Sequence, residues 1–413
     1  MRIFVSNSRR GWFAGVDVSR FCVFAAKRGG RTSTFLANFG MQSAVDLHAA
    51  PVEIDADFIR NQSPDTYTIP DVRTAADVVL TEKILGRFPC FGDQGAGVPM
   101  RHYQSEIHMG GDRDLFSQSL AGLPLYEGRM IWQYDHRAKS YMSGHGHSSV
   151  WEDIGFADPR KRIGPQWHVL PNQVPGKVGN RINLYRLAFR DVAQPRDERG
   201  LIATIIPPKT ICGDKVPTID FGIGYEWAYL PWLAVANSFA MDWLVRAKLS
   251  SPKVSFTLMD SLPFPRPSLS EPWVQQVAPL VLRLVCTAPE MTDYWNSMSQ
   301  HGFCQPVPAS NVPGEALLDE TLRSAAQAEI DAIVALQVFG LDRSELEIIL
   351  DTFVLLRKKE EKEFREFRSK RLVLERFEAI KDAAAQGSHY RSIVAPSSSE
   401  PAVAHPLRTQ GDA

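Results

Sequence analysis

The chain reads as a mixed α/β (α+β) protein, with separated β-runs through its first two thirds and helices in its last third. Three observations carry that reading. Leu201–Ile206 is an apolar run halted by Pro207-Pro208, the pattern of a buried strand. Leu230–Leu249 repeats Trp232, Leu233, Ala236, Phe239, Ala240, Trp243, Leu244 and Ala247 at helical spacing, which makes an apolar stripe suited to a core. Residues 315–384 keep helical periodicity, with breaks that carry cap signals.

Taken in order, Phe21–Ala26 is apolar and β-prone, and Arg28-Gly29-Gly30 marks a turn. Thr32–Phe39 suits either a second extended piece or a short helix. Ser63-Pro64 and Ile69-Pro70 are extended breaks, because a residue before proline avoids the helical region. Thr74–Leu85 has the spacing of a helix. Phe91–Gly97 is glycine-rich but follows Pro89, not a long buried strand, and reads as a loop. Leu120–Tyr134 and Asn180–Val192 are expected to be extended, and Phe256–Leu258 to be a short strand before the proline-rich Leu262–Pro267. A short helix is expected near Trp273–Val285. Ala316–Phe339 is an amphipathic helix stopped by Gly340. Asp342 with Glu345 three residues on is close to a capping box. Arg357–Arg371 is a dense run of mixed charge, the pattern of a solvated helical face. Residues 385–413 lack periodicity and are expected to form a disordered tail.

Composition bounds function without deciding it. The chain has 413 residues, 46 basic against 47 acidic side chains and a formal charge of −1, which excludes a uniformly basic nucleic-acid coat. Its five cysteines form no CxxC pair, so a reducing compartment is expected, with no zinc site or disulfide framework. The N-terminus lacks a signal-peptide core, and the longest apolar run, Leu230–Val245, is interrupted by Asn237 and Asp242. A cytoplasmic protein without a membrane partner is the expectation.

Charge is more informative locally. Residues 158–209 hold ten basic side chains and four acidic ones, and seven of the ten are arginine. This reads either as a phosphate-binding stripe or as a solvated surface with incidental arginines. Pro124–Lys139, PLYEGRMIWQYDHRAK, keeps Leu125, Met130, Ile131 and Trp132 for anchorage. It is expected to expose its amide, guanidinium and imidazole groups, which bond phosphates and base edges. Arg190–Asp191 and Glu198–Arg199 read either as part of that surface or as ion pairs that set a turn. His145-Gly146-His147 has no carboxylate or cysteine at ligand spacing, and no nuclease-like carboxylate cluster stands out, so no metal or catalytic residue is assigned.

Four segments resemble one family in the same order along the chain: PLYEGRMIWQYDHR, YRLAFRDVA, IIPPK and ILDTF…KRLVLE. They resemble the specificity half of type IIG restriction–modification enzymes and their N6-adenine DNA methyltransferase relatives. The resemblance implies that residues 1–115 are a strand-and-helix connector and the start of the recognition region. It implies a mixed-sheet target-recognition domain over 116–267 and a loop-rich, then helical C-terminal region over 268–384. It also implies duplex DNA as partner. Arg129, Gln133, His136, Arg137, Lys139, Arg181, Arg186, Arg190 and Arg199 are the residues expected on the DNA face. An amino-methyltransferase also needs a glycine loop for S-adenosylmethionine and an NPPY-type turn for the flipped base. No Asn-Pro-Pro or Asp-Pro-Pro occurs in this sequence, so no cofactor residue is assigned. S-adenosylmethionine and methyl transfer are expected on a separate catalytic subunit. The alternatives are an interaction subunit of a phage-defence complex, a remnant of a split methyltransferase gene, or an active methyltransferase subunit.

Overall fold

The computed structural model describes residues 2–7, 20–41, 43–63, 67–93, 101–194, 197–249, 251–309 and 311–394. It is mixed α/β, with several small sheets and with helices concentrated toward the C-terminus. The chain divides into two units, residues 1–93 with 243–265, and residues 94–242 with 266–413.

The first unit holds one sheet of four strands, β1 (Arg2–Asn7), β2 (Arg20–Ala25), β3 (Thr34–Met41) and β4 (Val52–Asp55), in the order β2-β1-β3-β4. β1 runs parallel to β3, and the other two pairings are antiparallel. The ambiguous Thr32–Phe39 is therefore a strand. Phe35 and Ala37 of β3 and Val52 and Ile54 of β4 point inward while Leu36 and Glu53 point out, the alternation of a sheet with one covered face. Phe58, Ile59 and Val72 complete that core. The helix Ala75–Leu85 starts at a capping box. The Asp77 amide donates to Thr74 Oγ1 at 3.1 Å and the Thr74 amide donates to Asp77 Oδ2 at 2.9 Å. The expected strand at Phe256–Leu258 is instead the helix Phe256–Asp260. Ser255 Oγ accepts from the Leu258 amide at 3.1 Å, and that N-cap turns the chain into a helix that a three-residue apolar run does not announce. Gln94–Gly97, the second part of the glycine-rich loop, lie outside the described residues.

The second unit builds β5 (His102–Gln104), β6 (Phe116–Ser117), β7 (Leu123–Tyr126), β8 (Lys139–Ser143), β9 (Val150–Asp153), β10 (His168–Val169), β11 (Arg186–Phe189), β12 (Ala203–Ile206), β13 (Ile211–Cys212) and β14 (Thr218–Asp220). They form the sheets β13-β7-β10-β6 and β12-β11-β14-β5, and β8 and β9 pair as a hairpin. Every side chain of β11 and β12 is buried, in keeping with the β-run Leu201–Ile206, which is apolar but for Thr204. The expected extended pieces are shorter than read. Leu120–Tyr134 is a strand only over β7 and then bends through the 3-10 turn Gly128–Met130, and Asn180–Val192 is a strand only over β11.

The long apolar stripe is two helices, Tyr229–Ala236 and Phe239–Lys248, parted at Asn237-Ser238. Beyond them run Pro272–Val285, Thr292–Met298 and Glu320–Ile333, the last continuing through a wider π turn, Val334–Val338. Gly340 adopts φ +65°, the left-handed conformation that ends this run cheaply only for glycine. Arg343–Asp351 begins at the expected box: the Glu345 amide donates to Asp342 Oδ1 at 2.9 Å and the Asp342 amide donates to Glu345 Oε2 at 2.8 Å. The charged run Arg357–Arg371 is split by Arg365, at φ 65°, into Val354–Phe364 and Arg368–Ala385. Residues 386–394 carry no regular element, yet Val394 is buried, its carbonyl accepts from the Arg283 guanidinium, and the Ile393 amide donates to Glu329 Oε1 at 2.7 Å. The first part of the expected disordered tail is therefore packed, because Arg283 and Glu329 supply partners that its own composition does not reveal. Residues 395–413 lie outside the described ones.

Candidate nucleic-acid interface

Most of Pro124–Lys139 does not lie on a surface. Tyr126, Met130, Ile131, Tyr134, Asp135, His136 and Arg137 are all buried, and so is Gln133. The chain turns back tightly here. The Trp132 amide donates to the Asp135 carbonyl at 2.8 Å and the Asp135 amide donates to the Trp132 carbonyl at 3.1 Å, with Tyr134 at φ 60° at the tip. A tyrosine holds that left-handed conformation at a cost on the order of 1–3 kcal/mol, so the surroundings must fix it. They do: the Tyr134 amide donates to the Ala203 carbonyl at 3.1 Å and Gln133 Nε2 donates to the carbonyls of Leu201 and Asn237 at 3.1 Å each.

The arginines read as a basic stripe are mostly internal as well. Arg186 has no exposed surface. Its Nε lies 3.0 Å from Glu106 Oε1, equally buried, and its other nitrogens donate to the carbonyls of Arg181, Leu184 and Thr210. Glu106 also accepts from the Cys212 amide at 2.8 Å and from Thr218 Oγ1 at 3.1 Å. Arg199 pairs with Asp242 at 2.8 Å, donates to the Asn237 carbonyl and lies 4.1 Å from the Phe239 ring centre. Arg181 pairs with Asp220. Arg190 donates to the carbonyls of Gly128 at 2.9 Å and Ile131 at 2.8 Å. Neither adjacent pair read as a turn-setting ion pair forms one: Asp191 faces Lys215 at 3.6 Å and Glu198 takes Lys359 at 2.8 Å. The local charge excess misleads because Glu106, Asp220 and Asp242 neutralise these arginines from distant parts of the sequence. Arg196 lies outside the described residues.

His136 is fully buried, with Nε2 3.0 Å from Glu290 Oε1. Burial holds the imidazole below its ordinary value against the pull of Glu290. Burial also pushes Glu290 up, but the hydrogen bond and charge of His136 and the Arg137 charge outweigh it and hold the carboxyl well below the usual range. Arg137 donates to the carbonyls of Lys161 at 2.7 Å and Thr287 at 2.8 Å. Lys161, itself buried, pairs with Asp135 at 2.8 Å and donates to the carbonyls of Arg137 at 2.9 Å and Ile154 at 2.7 Å.

Lys161, Asp135 and Arg137 thus tie the segment that enters β8 to the segment that leaves β9. The hairpin between them stays open to solvent. Met142, Ser143, His145, Gly146, Ser148 and Val150 are exposed on it or on its loop. Exposed Arg129 reaches the Ser149 carbonyl at 3.5 Å, Lys139 sits half-buried at its base, and exposed Arg162 follows the clamp. Ser140 Oγ donates to the Arg162 carbonyl at 3.4 Å, so these three cations belong to one neighbourhood. Arg160 is exposed but held by Asp158 at 2.7 Å. Of the nine residues expected on a DNA face, only Arg129 and Lys139 keep appreciable freedom to meet a ligand from solvent.

Reading the sequence alone missed the buried acids Glu106, Asp135 and Asp242 as partners, Lys161 as the clamp, and Asn237 as a hub. Asn237 Nδ2 donates to the Ala203 carbonyl and its Oδ1 accepts from the Ala203 amide, both at 3.0 Å. The available signal was polar Asn237, Ser238 and Asp242 inside an apolar run. No protein-family model matches the chain, and no curated protein matches it. Among the described residues no group of three His, Cys, Asp or Glu side chains is placed to hold a metal ion, and no helix is long and apolar enough to cross a membrane.

Proposed function

We propose that this chain is the sequence-specific DNA-recognition part of an adenine-specific (N6) DNA methyltransferase or restriction–modification system. It holds duplex DNA for methylation by a separate subunit that binds S-adenosylmethionine. The observation that carries the reading is the way two of the resembling segments, with the strand β12 that runs into a third, serve one clamped hairpin. PLYEGRMIWQYDHR enters it, and YRLAFRDVA and the strand before IIPPK hold that entry through the Arg190 bonds to Gly128 and Ile131 and the Ala203 bond to Tyr134. A two-stranded ribbon is one of the elements that fits the major groove, and here the exposed cations Arg129 and Arg162 and half-exposed Lys139 flank it. The buried arginines are scaffold in this reading, and DNA contact passes to the β8–β9 ribbon and its loop.

The test is a fluorescence-anisotropy titration of the full chain with duplex DNA across a salt series. Binding should weaken steeply with salt. Arg129→Ala with Arg162→Ala should lower the log–log slope by about 0.9 for each phosphate contact removed, with the melting temperature unchanged. A wild-type slope near zero, or a slope the double variant leaves alone, overturns this assignment.

A further inference from the structure

A cavity of about 160 Å³ lies inside the second unit, walled in part by Trp132, Gln133, Arg199, Phe239 and Asp331. That is over ten times the ~10–15 Å³ one water needs. Its deep polar groups are not consumed by the fold. Gln133 is 8 % exposed and spends both amide hydrogens on the carbonyls of Leu201 and Asn237, while its Oε1 has no partner among the described residues. Asp331 is 8 % exposed; its Oδ1 accepts from the Phe239 amide at 2.8 Å and its Oδ2 has no partner among the described residues. Neither oxygen is among the sealed, unpartnered polar atoms of the interior, so both are reachable positions on one cavity wall that a polar guest can bond.

We propose that this cavity binds a small planar heterocycle that carries a hydrogen-bond donor beside an acceptor, as on the edge of an aminopurine. The donor meets Gln133 Oε1, the acceptor meets the Asp331 carboxyl, and the aromatic walls receive the ring. The acceptor needs Asp331 in its O–H form. Burial pushes that carboxyl up to about 7, with Asp242 adding to the rise and Arg199 and the Phe239 amide opposing it. Tyr134, Glu198, Arg199 and Glu360 are the other titratable groups on the wall, with Arg199 paired to Asp242. Tyr134 is pushed far above neutrality by burial, Glu198 is paired with Lys359, and Glu360 accepts from the Ser369 amide at 2.8 Å. Asp331 is thus the group on this wall whose change of charge near neutral pH removes a donor. The proposal goes beyond DNA recognition. A free base and an unpaired base in DNA share this edge, and only the second source rests on the DNA reading.

Calorimetry of the full chain with 9-methyladenine and 9-methylpurine tests the edge directly. The first should bind and the second, which lacks the amino donor, at least tenfold more weakly. Affinity for 9-methyladenine should be flat below about pH 7 and fall close to tenfold per unit above it, as the O–H is lost. Asp331→Asn keeps a donor that does not titrate and should abolish the pH dependence while binding survives. Asp331→Ala should weaken binding at least tenfold. A duplex with one unpaired adenine, against the same duplex with an abasic site, separates the two sources. Preference for the former assigns the guest to DNA. Equal binding alongside tight 9-methyladenine binding assigns it to a free heterocycle. Absence of both signals, equal affinity for the two purines, or a wild-type profile flat to pH 9 overturns the proposal, and none of these three readouts requires a variant to fold.

Discussion

At Arg186 and Glu106 two opposite charges lie side by side without exposed surface, each with its remaining bonds made to backbone or hydroxyl groups. Desolvation of both ions offsets most of their attraction, so the pair adds little net stability. Breaking it is a different matter, because the survivor stays buried and unpaired. Arg186→Ala is therefore expected to cost about 3–5 kcal/mol in urea denaturation, while Arg186→Met with Glu106→Gln recovers a large part of that loss. Exposed Arg129→Ala should change stability by less than about 0.5 kcal/mol. A near-neutral Arg186→Ala would return that side chain to the list of surface contacts. The contrast also explains what sequence pattern conveys at this scale. Arg186, Arg190 and Arg199 look alike in a linear window, and what separates scaffold from surface is an acid or carbonyl brought in by the fold.

Elements set by neighbours along the chain were readable, and elements set across space were not. The Asp342–Glu345 box and the Gly340 stop act within one helical turn, so residue identity at fixed offsets announces both. The break at Asn237 inside the apolar stripe answers instead to strand β12. The Asn237 amide pairs with the backbone of Ala203 as a neighbouring strand would, and its carbonyl takes Gln133 and Arg199. The side chain closes the β12 edge, and the backbone carbonyl of the same residue fixes two wall groups of the cavity. Asn237→Ala leaves the buried Ala203 amide unpaired, at about 1–3 kcal/mol, while the Ala203 carbonyl keeps the Tyr134 amide as donor. Hydrogen exchange at the Ala203 amide should quicken by an order of magnitude or more. Exchange unchanged in the variant would mean that water or a shifted strand replaces the side chain. The helix Phe256–Asp260 was missed for a related reason: its start depends on a single serine, and five residues give periodicity nothing to act on.

Across the whole molecule, the α/β class was legible because the β-runs and the C-terminal helices are separated along the chain. The site was not. Its signature, an excess of arginine beside amide and imidazole groups, is shared by a DNA-binding surface and by a polar interior whose acids lie elsewhere in the sequence. Composition is equally blind to the end of the described chain. Residues 386–394 hold no apolar repeat, yet Glu329 is buried, and its carboxylate accepts from the Ile393 amide, which restrains a carboxyl that burial pushes upward. Removing that segment strands the Glu329 side chain and takes from Arg283 its bond to the Val394 carbonyl. Truncation after Ala385 should therefore lower the melting temperature by several degrees relative to truncation after Val394, since each kcal/mol lost is worth roughly 2–4 °C in a domain of this size. Glu329→Gln in the shorter form should return part of the loss, because it relieves the stranded carboxyl without restoring the segment. Equal melting temperatures for the two truncations would show that Glu329 and Arg283 find other partners and that residues 386–394 add nothing to the fold.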